Sequence, residues 1–346
     1  MRAAHAAATA FYAARLPAHP PALTYLHSRG VAAATVHRPP WTVGYAPAGW
    51  TGLRDALRAD GYTDRELLAA GLASTSRTGA VIDVFRDRVT FPVRDQHGDV
   101  VGFTTRDLSG RPGVAKYRNT VTTASYRKRR LLYGLAEQAG LDPVAVLLVE
   151  GPSDVLAVAG LRRWVRYLVV APCGTALTAE QVRLLRAAVA PGVPLVVAFD
   201  ADPAGELAAD RAYGLTRDWV GPVDAVALPA GTDPAALVAR YGHGAVPRLE
   251  RARTSLAELV VEHRLRRFRL DEPEGRVNAL RATAPVVAEV AVRDTRRAAA
   301  LSAHLSARLR LDPLTVFEAV YPANSSGGSQ FPPPPEGRPG RPGHRR

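Results

Sequence analysis

Along residues 1–75 the apolar residues return every three or four positions, in AATAFYAARL, PALTYLHSRG and WTGLRDALRADG, with Gly30, Gly44 and Gly61 punctuating the pattern. That spacing gathers apolar side chains onto one helical face, so the segment is predicted helical. At Val81 the period changes. VFRDRVTFPVRDQHGDVVGFTTRDL carries β-branched and aromatic residues on both sides of a QHGD turn and predicts strands there. The basic stretch that follows reads as a loop, and LLYGLAEQAG as a short helix ending near Gly140.

Beyond Pro143 short apolar runs alternate with helical segments: VAVLLV, SDVLAVAGLRRW, YLVVAP, TAEQVRLLRAAVA, PLVVAFD, GELAADRAYGLTRDW and PVDAVALP. Continuous apolar strands separated by helices of about a dozen residues are the signature of parallel βαβ units. Helical periodicity returns in SLAELVVEHRLRRF, VNALRATAPVVAEVAVRD and RRAAALSAHLSARL, and the tail NSSGGSQFPPPPEGRPGRPGHRR is too rich in Pro, Gly and Ser to build a core and is predicted disordered. The predicted fold is α/β. An α+β basic subdomain spans residues 1–142, a doubly wound domain 143–245, a helical subdomain 250–321 and a disordered tail 322–346.

With 346 residues, 47% of them hydrophobic, the chain can bury a sizeable core. It has no run of 18 apolar residues, and its opening MRAAHAAATAFYAARLP lacks an apolar stretch with a small-residue cleavage site, so neither a membrane span nor a signal peptide is expected and the cytoplasm is the expected compartment. The single cysteine, Cys173, excludes an internal disulfide and a multi-cysteine zinc site. Any metal must be held by oxygen or histidine. Cys173 itself, in APCGT at a strand–helix turn, reads as a small buried residue rather than a nucleophile, because no basic partner is near it in the sequence to lower its pKa.

A net charge of +13 points to a polyanionic partner, since arginine-rich surfaces gain affinity by releasing counterions from phosphates. Residues 101–130 hold eight basic residues against one acid, and both of the chain's two lysines, Lys116 and Lys128, fall there among 45 lysines and arginines. Nucleic acid is the partner this predicts; basic runs that are merely solvated surface are the alternative.

Glu150 directly follows the apolar run VAVLLV, and Asp200 and Asp202 end and follow PLVVAFD. In a parallel sheet the carboxyl ends of the strands share one edge, where such folds bind ligands, so these acids are predicted to converge. Asp154, one turn into the next helix, is placed near the same edge. Clustered acids repel unless a cation lies among them, and an all-oxygen donor set selects Mg²⁺ or Mn²⁺. Alternatively, an Asp just after a strand serves as a helix cap.

VEGPSDVLAVA, followed about fifty residues later by VVAFDADPAGELAADRA, resembles the Toprim domain, the metal-binding module of bacterial primases, type IA and II topoisomerases and certain nucleases. FRDRVTFPVRDQHGDVVGFTTRDL, KYRNT, YRKRRLLYGL, VEGPSDVLA, APCGTALTAEQ, FDADPAG and LPAGTDPAALV, in that order, are similar to the catalytic core of DnaG-type bacterial and phage DNA primases, from about Phe11 to Gly242. The resemblance implies DNA-templated synthesis of short RNA primers for replication by Mg²⁺-dependent nucleotidyl transfer. Glu150, Asp200 and Asp202 would be catalytic metal ligands, with Asp154 and Asp233 as further metal-site acids. Lys116, Asn119, Lys128 and Arg106 would contact nucleotide or template, with Arg86 and Arg88 as further phosphate contacts. A compact ammonium and a flat guanidinium serve a phosphate site differently, which would account for two lysines surviving in an arginine-rich chain; chance survival in a solvated loop is the alternative.

The partners implied are single-stranded DNA template and ribonucleoside triphosphates, with a replicative helicase or a separate zinc-binding protein as further candidates, and no membrane. Three departures stand out. Family members usually carry an N-terminal zinc-binding module, for which these residues hold no cysteines; the block with two acids around DPD reads TDPAAL, so Asp233 matches and Ala235 does not; and the stretch after KYxN is TVTTA. The alternatives are a Toprim nuclease and a non-priming, single-strand-binding accessory protein of a plasmid or phage.

Overall fold

The computed structural model describes residues 1–36, 39–174 and 176–321; the predicted tail lies outside them. The chain forms two compact units, residues 1–263 and the residues from 264 on.

The first unit opens with α1 (Arg2–Arg15), α2 (Pro20–Ser28), α3 (Ala33–Val36), β1 (Gly44–Ala46), α4 (Gly52–Ala59), α5 (Asp64–Ala69), β2 (Ala73–Thr75) and β3 (Val81–Asp83). The helices match the three- and four-residue spacing, but β1 and β2 interrupt the expected all-helical stretch because each finds a strand partner far along the chain or in β3. β4 (Arg88–Arg94) and β5 (Val100–Asp107) pair antiparallel across the QHGD turn, and β6 (Tyr117–Asn119) adds to β5, giving the sheet order β1-β4-β5-β6. KYRNT, expected as a loop, is thus partly an edge strand. LLYGLAEQAG is not a helix either: β7 (Leu132–Tyr133) pairs with Ala171 and Pro172, and a single 3₁₀ turn follows at Ala136–Gln138. The Gln138 amide donates to the Gly134 and Val169 carbonyls, which commits this backbone to sheet contacts instead of helical ones.

Then come β8 (Ala145–Val149), α6 (Pro152–Ala159), β9 (Tyr167–Pro172), α7 (Ala179–Ala188), β10 (Leu195–Ala198), α8 (Pro203–Leu215), β11 (Val223–Val226), α9 (Pro234–Tyr241), α10 (Ala245–Arg251), β12 (Arg253–Ser255) and α11 (Leu256–Leu265). The six-stranded sheet runs β12-β11-β10-β8-β9-β7, with β11, β10, β8 and β9 parallel and the two outer strands antiparallel. Every residue of β8, β9 and β10 is buried, as the apolar runs required. One hydrophobic core runs from Leu16 and Trp41 through Phe91 and Tyr133 to Val155, Val169 and Leu249, so the antiparallel sheet and the parallel sheet are packed on each other.

The second unit holds α12 (Pro273–Ala291), α13 (Thr295–Leu309) and α14 (Pro313–Val320), which pack pairwise around Leu280, Val287, Leu301, Leu305 and Val316. Among the described residues, no helix is long and apolar enough to cross a membrane.

Candidate active site

β8 is flanked by β9, reached through α6, and by β10, reached through α7 from the far side. The strand order therefore reverses between the parallel strands β8 and β10, and in doubly wound folds the crevice at such a switch, on the carboxyl edge, is the ligand site. Glu150 follows β8 and Asp200 follows β10, whose ends are in register at Val149 and Ala198. Asp200 N–H donates to Glu150 Oε1 at 2.9 Å. The loop is tight: a Cβ on Gly205 would stand 2.0 Å from the Asp200 carbonyl oxygen, so only glycine lets α8 begin this close to Asp200.

The turns on this edge share one local design. Pro152, Pro203 and Pro234 each occupy the first turn of a helix, where a missing N–H costs nothing, and Asp202 and Asp233 cap α8 and α9 by accepting from Gly205 N–H (2.8 Å) and Ala236 N–H (2.7 Å). The cap reading of Asp202 is therefore correct, and it coexists with a place at the site, because its charge still acts on Glu150 and Asp200.

Arg29, at the end of α2, is a residue the sequence did not single out. Its Nη2 donates to Asp233 Oδ2 at 2.8 Å and Asp154 Oδ1 at 3.2 Å, and Asp154 Oδ1 also accepts from Ala235 N–H at 3.2 Å. Burial, then the charge of Asp233, pushes the Asp154 carboxyl up to about 7 despite Arg29, while the two carboxylates hold the Arg29 guanidinium above its ordinary range against the cost of its own burial. The penalty falls on the acid because its side chain is 6% exposed and the guanidinium's 25%. Ala235, where the family pattern has a second acid, is fully buried beside this pair.

Glu150 and Asp200 are also raised. Partial burial comes first for both; the charges of Asp200, Asp202 and Asp233 add to it at Glu150, and those of Asp233 and Asp202 at Asp200, where Arg29 and Lys116 pull the other way. Glu150 remains open to solvent, so the neighbouring charges are the durable part of its shift.

β6 lies against this edge. Lys116, just before it, is close enough to act on Asp200, and the Tyr117 hydroxyl lies 3.6 Å from where a Cβ would stand on Gly151, beside Glu150. Asn119 accepts from Thr104 Oγ1 at 2.6 Å, and its amide fills the space over Gly174, where a Cβ would stand 2.2 Å from Nδ2. The Arg106 guanidinium lies over the rings of both Tyr25 and Tyr117, at 5.3 and 5.4 Å from their centroids. Lys128 begins a 3₁₀ turn that α7 holds in place: Gln181 donates to the Lys128 and Leu131 carbonyls and Thr178 to that of Arg129.

The two remaining arginines stand elsewhere. Arg88 is buried, with its guanidinium 3.4 Å from Asp107 and donating to the Ala115 carbonyl, so it braces β4 against the loop before β6 instead of facing solvent. Arg86 stacks on Trp50, 4.2 Å from its ring centroid, and that indole is 62% exposed. Trp50, Tyr25 and Tyr117 are the aromatic partners that the sequence, read by spacing alone, left unassigned. Cys173 is buried and its thiol is pushed up to about 12 by that burial, which removes it as a nucleophile.

Among the described residues no three acidic, histidine or cysteine side chains stand as a ready-made metal cage. Asp202 is capping a helix, Asp233 and Asp154 hold Arg29, and Glu150 accepts from a backbone N–H. The donor chemistry nevertheless fits a hard divalent cation: all the groups are carboxylates, and their mutual charges add to burial in raising Glu150 and Asp200.

The model of the DNA primase catalytic core, N-terminal domain, matches residues 11–139, and that of a Toprim-like domain matches residues 147–238. The DNA primase of Streptomyces coelicolor is 37% identical over 296 residues, covering 83% of this chain and 45% of that protein; that of Deinococcus radiodurans is 39% identical over 228 residues, covering 65% and 38%. The chain thus spans less than half the length of these relatives. The RNA polymerase domain of Mycobacterium tuberculosis primase DnaG superposes with a TM-score of 0.74 at 32% identity, covering 88% of this chain and 97% of that one. A DnaG primase catalytic domain bound to single-stranded DNA superposes with a TM-score of 0.70 at 30% identity, covering 91% and 97%. Two matched domains in the family's order, with near-complete coverage of a solved primase domain, lead to one conclusion: the chain belongs to the DnaG-type DNA primase family, of which it carries the catalytic core.

Proposed function

We propose that the protein synthesises short RNA primers on single-stranded DNA by nucleotidyl transfer from ribonucleoside triphosphates. The observation that carries this reading is the meeting, at the switch point of the parallel sheet, of Glu150 and Asp200 with Lys116 at the end of an adjoining antiparallel sheet. A polymerising site needs both: carboxylates for a cation and a cationic wall for the triphosphate and template.

Glu150 and Asp200 would hold Mg²⁺ or Mn²⁺, with Asp202 in support; the bound cation supplies charge neutralisation for the triphosphate and the developing pyrophosphate. Asp154 and Asp233 act through Arg29, whose fixed position shapes the floor beside the cation site. Lys116 offers its compact charge to phosphate on the β6 side, and Arg106, lying over two tyrosine rings, presents a planar fork. Asn119, seated on Gly174 after β9, holds the β6 side in place, and Lys128, on the 3₁₀ turn that α7 anchors, adds a further charge for nucleotide or template. Asp200 N–H, held on Glu150, fixes the backbone of the catalytic loop. The alternating stack of Arg86 on exposed Trp50 would extend the strand's path beyond the site.

Incorporation of labelled ribonucleotides on single-stranded DNA with Mg²⁺ or Mn²⁺ tests the reading. Template-dependent short RNA is expected, and Asp200→Asn should reduce it by more than about a hundredfold, beyond the 10–100-fold that loss of an outer-shell contact costs. Lys116→Ala should reduce it less. Strand cleavage abolished by Asp200→Asn, with no RNA made, would establish a nuclease instead; DNA binding with neither product would establish a binding module.

A further inference from the structure

The amino edge of the parallel sheet, opposite the carboxylates, carries a second arrangement of aromatic and basic side chains. Trp164 follows α6 and is 64% exposed, and its ring stacks on His243, from the turn after α9, with centroids 4.3 Å apart and planes 16° from parallel. Two residues before His243, Tyr241 lies under the Arg248 guanidinium at 3.8 Å. Arg162 and Arg163 immediately precede Trp164 and are exposed.

A single exposed tryptophan is unremarkable on a protein surface. This one stacks on His243, which covers one face of the indole, and two exposed arginines precede it in the chain. Two acids at this edge are already engaged: Asp142 lies 3.5 Å from Arg166, and Glu250 is taken by Tyr167 and Arg253. Among the described residues no carboxylate pairs with Arg162 or Arg163. A stacked, solvent-facing indole with two exposed arginines beside it in the chain and a third over neighbouring Tyr241 is complementary to a base with its flanking phosphates, and poorly matched to a folded apolar partner.

We propose that this edge is a second contact surface for single-stranded nucleic acid: a base stacks on the open face of Trp164, and Arg162, Arg163 and Arg248 hold the phosphates on either side. The surface lies at the end of the sheet opposite Glu150 and Asp200, so it would take strand entering or leaving the site without touching the reacting groups. The inference needs only strand binding, not priming, and its readout is separate from RNA synthesis.

The test is fluorescence anisotropy of a labelled oligo-dT, long enough to leave the carboxylate edge, over a series of salt concentrations. Trp164→Ala should weaken binding at least about fivefold, the lower end of what one base–aromatic stack contributes, and Trp164→Phe should restore most of it. Arg162→Gln with Arg163→Gln should reduce the slope of log affinity against log salt by about 1.4, two single-strand phosphate contacts. Because all three side chains are exposed, unchanged thermal unfolding is expected in each variant. Affinity and salt slope equal to those of the intact protein in every variant, as for a face that takes another protein instead, would overturn the proposal, whether or not primers are made.

Discussion

Asp154 and Asp233 both bond to the guanidinium of Arg29, whereas, among the described residues, the Glu150 carboxylate accepts only the backbone N–H of Asp200, and Arg29 and Lys116 act on the Asp200 carboxyl by charge without a bond to it. Both pairs stand on one edge of one sheet, and both contain a carboxyl raised by burial and by neighbouring acids. The difference lies in what compensates them. The first pair carries its counter-ion within the fold and is complete as it stands. The second is left with excess negative charge facing an opening, which is the condition under which a mobile cation or a substrate-borne one gains most. The acids of this edge thus fall into two pairs: a closed one bound to Arg29, and an open one to which we assign the proposed cation.

The largest effect should come from breaking the closed pair. Arg29→Met leaves Asp154 buried without its partner and should cost about 3–5 kcal/mol of folding stability, read by urea unfolding; adding Asp154→Asn should recover most of it. If the single variant is as stable as the parent, the two pairs do not differ as described. The pH response sharpens the same comparison. Asp154 titrates near 7 in the folded chain and in the ordinary carboxylate range when unfolded, so its protonated form favours the fold. That contribution is complete below the unfolded value and is lost as pH rises through about 7. Without divalent cations, the stability of the parent relative to Asp154→Asn should fall across this window, by at most about 4 kcal/mol.

A smaller effect concerns the strand that brings Lys116 to the open pair. Gly174 has φ +66° and meets the Asn119 amide, so Gly174→Ala forces both a left-handed alanine and a displaced side chain. It should cost about 1–2 kcal/mol from the backbone conformation alone, and nucleotide incorporation should fall further than stability does because β6 shifts with Asn119. Equal activity in the variant would mean that this seat does not position Lys116.

The open pair was legible in the sequence because its logic is local: an apolar run that ends in an acid, twice, in a parallel sheet, puts both acids on one edge. The closed pair was only half legible. Asp154 and Asp233 were marked, but Arg29 sits in YLHSRG, 125 residues from Asp154 and 204 from Asp233, where nothing in helical periodicity separates it from any other exposed arginine. Tyr117 over Gly151 and Asn119 over Gly174 were hidden for the same reason. The two local misreadings share a cause as well. Tyr117–Asn119 and Leu132–Tyr133 are strands of two or three residues, too short to show a period, and they are extended only because a distant edge, β5 or β9, offers them hydrogen bonds. Arg88, one of several arginines in a basic segment, turned out to be buried because Asp107 comes opposite it in the β4–β5 register.

The claim that the open pair is a cation site is tested most directly by titrating Mn²⁺ into the protein and following free Mn²⁺ by electron paramagnetic resonance, with the intact chain and Asp200→Asn side by side. Saturable uptake by the intact protein that disappears in Asp200→Asn, while the variant stays folded, is the predicted result. Equal uptake by the two, or none by the intact protein in the presence of template and nucleotide, would contradict it.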